Sequence, residues 1–253
     1  PIVLTRIDGA TYQRPRWSYE VRKIPISLTV TDVINLKELK SLSNDMLYDR
    51  IISGIKYNDN EYQKTRLNKI KAKKPAECLQ NVLFLCPDCN NYNCMESKDS
   101  YFYCKKCGYK VKFNNYNQFE LVNGSRHFLN IGEWDSYQKS KLAGIVKERR
   151  EKGCEILSFD NFTYNKVLNG DFFYKPKNTG TLSLNCERIK FVSAKGDNEE
   201  EYPINEIKDL YIQFKGAVEF SLGEYRYRFI SSVRRHYGYW YECFIYAILD
   251  NNI

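Results

Sequence analysis

Apolar residues along this chain follow two rhythms, and the switches between them mark out its elements. The opening run "PIVLTRIDGA" is an apolar strand ending in an Asp8-Gly9 turn, and "KIPISLTVTDVI", Lys23 to Ile34, is rich in the β-branched residues of a second strand. From Ser43 the spacing becomes helical: Met46, Leu47, Ile51 and Ile55 share one side, Ser43 stands at the N-cap and Asp45 falls in the first turn. This first segment reads as the end of an α/β domain. A later helix is predicted with Trp134, Tyr137, Leu142 and Ile145 on its apolar side, basic residues in its last turn and Gly153 to end it. From Cys154 the chain turns to short β-rich runs, "EILSFD", "FTYNKVLN", "FFYKP", "TLSLNCERIKFVSA", "EYPINEIKDLYIQF", "AVEFSL" and "EYRYRFIS", with turn signals at Asn169-Gly170 and Lys195-Gly196-Asp197. A closing amphipathic helix carries Val233, Tyr237, Trp240, Tyr241, Phe244, Ile245 and Ile248 on its apolar side.

Between the two halves neither rhythm holds, and cysteines take over. Phe84 to Tyr109 reads "FLCPDCNNYNCMESKDSYFYCKKCGY". Cys86-x-x-Cys89 and Cys104-x-x-Cys107 each fold two thiolates toward one point, four thiolates satisfy tetrahedral Zn²⁺, and Gly108 suits the tight turn after the second hook. The residues between the hooks have room for two short strands and a turn. About thirty residues cannot bury enough apolar surface to fold unaided, so metal binding is expected to supply the folding energy of this ribbon. Cys94 is a further thiol, but the symmetric pair of hooks already completes a site. Cys78, Cys154, Cys186 and Cys243 stand singly in apolar surroundings and are expected to be small core residues. Thioredoxin-type redox chemistry is not expected, because the hooks come as a pair without a surrounding βαβ pattern. A ribbon of this kind binds nucleic acid, binds protein, or staples two parts of a chain together. The alternation of Tyr101, Phe102, Tyr103, Lys105, Lys106, Tyr109 and Lys110 suits a base-stacking surface and, equally, a half-buried ribbon.

Composition narrows the classes. Of 253 residues, 43% are hydrophobic and 15% aromatic, enough for real cores and too much for a disordered chain. The longest apolar stretch, "YWYECFIYAIL" from Tyr239 to Leu249, is broken by Glu242 and falls short of the roughly 20 residues of a spanning helix. Nine cysteines without a secretory signal point to a reducing compartment. A net charge of +8 favours an anionic partner, whether nucleic acid, acidic membrane or phosphorylated ligand. Lys64, Arg66, Lys69, Lys71, Lys73 and Lys74 form a run without intervening acids, which a solvated linker and an anionic contact explain equally well. Catalytic chemistry is hard to find: His127 and His236 have no carboxylate at a suggestive spacing, and no Gly-rich phosphate loop, nucleophile elbow or carboxylate metal cluster occurs.

The predicted fold class is therefore α+β multidomain. It comprises the tail of an α/β domain over 1–60, a basic linker and helix over 61–82, a zinc ribbon over 83–113, a strand and connector helix over 114–153, and a β-rich domain with a C-terminal helix over 154–253. About seven strands capped by a helix is the layout of a pleckstrin-homology or GRAM-like sandwich, a fold analogy that does not carry a function with it.

The order of several motifs resembles one family. "PIVL" (Pro1, Ile2, Val3, Leu4), then "DGATYQRPRWSYEVRKIPISLTVTDVI" with its Pro15-Arg16-Trp17 turn, then "LSNDMLYDRII", resembles the C-terminal end of the 1-acyl-sn-glycerol-3-phosphate acyltransferases. Clostridial-type members look similar further on, through "DNEYQ", "AECLQNVLFLCPDC", a second Cys-x-x-Cys and an "EW-x-x-x-Q" helix start, here Asp59 to Gln63, Ala76 to Cys89, Cys104 to Cys107 and Glu133 to Gln138. The resemblance implies a cytoplasmic protein lying peripherally on the acidic inner face of the membrane. Its activity would be acyl transfer from acyl-CoA or acyl carrier protein to lysophosphatidic acid or a related lysolipid. Arg14 and Arg16 become candidates for contact with an anionic headgroup or the membrane, with a capped turn bearing solvated arginines as the alternative. The family's H-x-x-x-x-D and its E-G-T-R-like block occur nowhere in this sequence. Both would lie upstream of Pro1, whose strand lacks a sheet neighbour before it, so the expectation is a C-terminal fragment with no catalytic residue of its own. The other class in view is a non-enzymatic zinc-ribbon adaptor for nucleic acid or protein.

Overall fold

A computed structural model describes residues 1–171, 178–212, 216–231 and 237–250. The expected "FFYKP" strand, Val233 and His236 lie outside these described residues. The elements run β1 (Ile2–Asp8), α1 (Ala10–Gln13), β2 (Ser27–Ile34), α2 (Leu36–Ser41), α3 (Asn44–Ile55), α4 (Asp59–Arg66), β3 (Met95–Lys98), β4 (Tyr101–Cys104), β5 (Lys110–Phe113), β6 (Phe119–Asn123) and α5 (Ile131–Glu151). They continue through β7 (Leu157–Leu168), β8 (Asn178–Leu184), β9 (Arg188–Ser193), β10 (Glu199–Pro203), β11 (Lys208–Ile212), β12 (Val218–Leu222) and β13 (Tyr225–Ser231) to α6 (Gly238–Asp250). The chain is mixed, mostly β, with a curled seven-stranded antiparallel sheet and a few helices.

β1 and β2 form a two-stranded antiparallel hairpin. Gly9, at φ 85°, turns the chain after Asp8, and the carboxylate of the buried Asp59 accepts the N–H groups of Gly9 and Thr11 and the Tyr57 hydroxyl. The inner face sets Leu4 and Ile34 under α3, where Gly54 lets the helix lie close on Leu4. The outer face has no cover among the described residues: Val3 pairs with Val33, Thr5 with Val30 and Ile7 with Leu28, and the apolar members are 51% to 67% exposed. α3 starts as its sequence predicts, with Ser43 Oγ accepting the Met46 N–H, yet no residue of it is buried.

β3 to β6 form the ribbon, ordered as in the chain. The sheet runs on to Asn123, past the predicted boundary at 113, because β6 pairs with β5 and the rings of Phe113 and Phe119 meet at 4.8 Å. The seven-stranded sheet is ordered β10-β9-β8-β7-β13-β12-β11, a meander whose first strand lies beside its last, with α6 packed against it. The predicted strands "EILSFD" and "FTYNKVLN" are one strand, β7. A bulge between Phe159 and Phe162 bends it, and Asn161 takes the left-handed conformation (φ 65°) that this residue tolerates better than most.

Two apolar cores meet along one short segment. Leu83 belongs to the ribbon core with Phe102, Phe113, Phe119 and Trp134, while Phe84 and Leu85 enter the core of the seven-stranded sheet and α6. Cys86, the first residue of the first hook, follows directly.

Candidate metal centre

The two hooks are built alike. Cys86 N–H bonds Asn91 O at 2.9 Å and Asn90 N–H bonds Cys86 O at 3.0 Å; Cys104 N–H bonds Tyr109 O at 2.8 Å and Gly108 N–H bonds Cys104 O at 3.1 Å. The residue after each second cysteine is left-handed, Asn90 at φ 52° and Gly108 at φ 79°. Gly108 was expected there. Asn90 was missed, although its position after the hook matches that of Gly108 and asparagine is the usual substitute for glycine in that conformation.

These turns bring Cys86, Cys89, Cys104 and Cys107 together, with all four sulfurs within 4.8 Å of one another. Cys86 Sγ lies 3.5 Å from Cys107 Sγ, and Cys89 Sγ 3.8 Å from Cys104 Sγ. Thiolates about 2.3 Å from a tetrahedral ion stand about 3.8 Å apart, so the spacing fits a bound metal. The backbone is arranged to match. N–H groups of Cys89 and Asp88 point at Cys86, that of Asn91 at Cys89 and that of Tyr109 at Cys107, while Lys106 N lies 3.4 Å from Cys104 Sγ. Such donors stabilise thiolates. Without a cation, burial pushes the Cys86 thiol far up. Burial also acts to raise Cys89, but hydrogen bonds from Asn91 and the neighbouring thiols outweigh it and hold that thiol down at about 7. Four converging sulfurs could therefore hold a soft divalent ion. Cys94 stands behind this set, 3.4 Å from Cys104 Sγ, with its own thiol directed at Asn91 O.

Of the single cysteines, Cys78 and Cys243 are buried and Cys186 is half-buried. Cys154 is exposed, contrary to expectation, because Gly153 (φ 60°) ends α5 and turns the chain outward. The ribbon's aromatics largely serve packing. Phe102, Tyr109 and Phe119 surround Trp134 at 5.3, 5.6 and 5.3 Å, while Tyr101 faces out with Lys110 above its ring.

Polar contacts bolt the ribbon to its neighbours. Trp134 Nε1 donates to Leu85 O and Trp240 Nε1 to Gln80 O, each at 3.0 Å. The buried Gln138 amide accepts from Phe84 N at 3.1 Å and donates to Val82 O at 2.7 Å. Arg14 and Arg16 both lie exposed just after α1; the Arg16 charge acts on Glu242, whose carboxyl burial raises. His127 bonds the Phe119 carbonyl through Nε2 at 2.7 Å.

No protein-family model matches this chain, and no curated protein matches it. A solved structure similar to part of it is the C-terminal domain of an unknown protein from Leishmania infantum. That domain is 18% identical over 42% of this chain and 95% of its own, with a TM-score of 0.27, a likeness too low to bear on fold or function. No described helix is long and apolar enough to cross a membrane.

Proposed function

We propose that this chain is the C-terminal part of a glycerolipid acyltransferase that moves an acyl group from acyl-CoA or acyl carrier protein to lysophosphatidic acid or a related lysolipid. The observation that carries the reading is the outer face of the hairpin. Val3, Val33, Val30, Ile7 and Leu28 make a continuous apolar surface, and among the described residues β1 pairs only with β2. A two-stranded hairpin is marginal alone, whereas an apolar face and an open edge suit the last strands of a larger sheet. The family resemblance supplies that sheet as the catalytic α/β domain, with its His and Asp motif upstream of this chain. An adaptor would instead have a self-contained N-terminal unit, which the exposed face speaks against.

In this reading the four cysteines hold Zn²⁺ structurally, and the ribbon staples the catalytic domain to a pleckstrin-homology or GRAM-like β domain. The meander order and closing helix support that last likeness. The protein would work in the cytoplasm on the acidic inner face of the membrane. The reading is tested by producing the protein from its entire reading frame and supplying lysophosphatidic acid with each donor. Phosphatidic acid is the expected product. An upstream frame without H-x-x-x-x-D, or no product from either donor, overturns the reading and leaves the adaptor.

A further inference from the structure

Two extended segments lie side by side where the hairpin unit meets the ribbon. Lys23 and Lys71 are bridged antiparallel, Lys23 N–H to Lys71 O at 3.2 Å and Lys71 N–H to Lys23 O at 3.0 Å. Burial alternates along both segments. Arg22 and Ile70 turn inward, while Tyr19, Val21 and Lys23 on one segment and Leu67, Lys69, Lys71 and Lys73 on the other are exposed. The bridge sets Lys23 opposite Lys71, and Val21 and Lys73, two residues further along each segment, are exposed as they are.

This face is held from below. Arg22 is buried, its Nη1 donating to Asn117 Oδ1 at 3.1 Å and its Nη2 to Pro75 O at 2.8 Å, with its guanidinium 5.6 Å from the Trp17 ring centre. Ile70 N–H reaches Asn115 O at 2.7 Å. The Glu20 carboxylate accepts the N–H groups of Lys73 and Lys74 at 2.7 and 3.2 Å, so it is occupied by backbone. Lys23, Lys69, Lys71, Lys73 and Lys74 form no ion pair among the described residues. What the sequence leaves open as a solvated linker is a fixed strip of cations with apolar side chains between them.

We propose that this strip is a membrane-contact surface: its lysines take anionic phospholipid headgroups, and Tyr19, Val21 and Leu67 enter the headgroup layer. The assignment deepens the acyltransferase reading by naming the part of the chain that meets the lipid. Polybasic surfaces are drawn to anionic bilayers, and aromatic or aliphatic side chains beside the cations add burial at the interface. A nucleic-acid surface is less well matched, since single strands need successive aromatic faces for stacking and the strip has the one ring of Tyr19 among aliphatic side chains.

The test is co-sedimentation of the whole chain with phosphatidylcholine vesicles, with and without phosphatidylglycerol. The wild type is expected on the anionic vesicles and not the neutral ones. Replacing Lys23, Lys69, Lys71 and Lys73 together by Gln should weaken binding by about 5-fold per lysine, on the order of 600-fold in total. Replacing the same four by Arg should preserve it, which separates lost charge from lost fold. Equal binding to both vesicles, full binding by the Gln variant, or tighter binding to polyuridylate than to vesicles would overturn the proposal. Acyl transfer to detergent-dispersed lysophosphatidic acid is measured alongside with the wild-type protein from the entire frame. Lysine-dependent vesicle binding without any acyl transfer would remove the acyltransferase reading and leave the surface standing.

Discussion

β2 and β9 each gather apolar side chains on one face, in β2 across a bulge opposite Leu4 and Thr5, and the two faces end differently. In β9, Ile189, Phe191 and Ser193 turn inward and are buried, and the sheet around them is closed by α6, where Trp240, Tyr241, Phe244, Ile245 and Ile248 are buried too. In β2, Leu28, Val30 and Val33 stand on an outer face that nothing described covers. One region completes its own core and the other supplies half of one. Patterning alone sets which side of a strand is apolar; whether that side is buried depends on a second layer. The ribbon between them has a third arrangement, in which an aromatic core around Trp134 adjoins four converging cysteines that could hold a metal.

If the four cysteines hold zinc, as proposed, its removal should have the largest effect. Structural zinc in small domains is worth about 10–16 kcal/mol of folding free energy. Chelation is therefore expected to abolish amide protection in β3 to β6 and expose Trp134, while the seven-stranded sheet stays folded but loses the anchorage of Phe84 and Leu85. Cobalt in place of zinc should give thiolate charge-transfer bands. Because the ligands bind as thiolates and metal binding displaces their protons, affinity should fall as pH is lowered. Loss of the seven-stranded sheet together with the ribbon would show that the two cores are one cooperative unit.

Next in size is Trp240→Ala, which empties the site where α6 meets Phe84 and Phe159, with ring centres at 5.0 and 5.5 Å. It should cost about 3–5 kcal/mol in the C-terminal unit by denaturant titration and leave the hairpin's spectrum unchanged. At the small end, Leu28→Lys on the uncovered face should stay within about 0.5 kcal/mol of wild type in this chain. A large loss would mean that this face is already covered here.

The features legible in the sequence are those fixed by local chemistry. Ser43 caps α3, Gly9 and Gly108 take their turns, Gly153 ends α5, and the paired hooks converge. What was not legible depends on contacts between residues far apart in the chain. Arg22 looks like one more surface cation until Asn117 and Pro75 enclose it. The lysine run reads as linker until Lys71 pairs with Lys23. Asn161 hides the continuity of β7, since a left-handed residue inside a strand looks like a turn between two. Arg14 and Arg16, singled out by the family resemblance, lie exposed after α1, and the cations that share a face are found further along.

The most direct test of the central claim is hydrogen exchange at β1, in this chain and in the protein made from the entire reading frame. If β1 and β2 are the last strands of a larger catalytic sheet, the β1 amides that do not face β2 exchange fast in this chain and are strongly protected in the longer protein. Equally fast exchange in both would mean that no sheet is built on this edge, and the acyltransferase account would lose its main support.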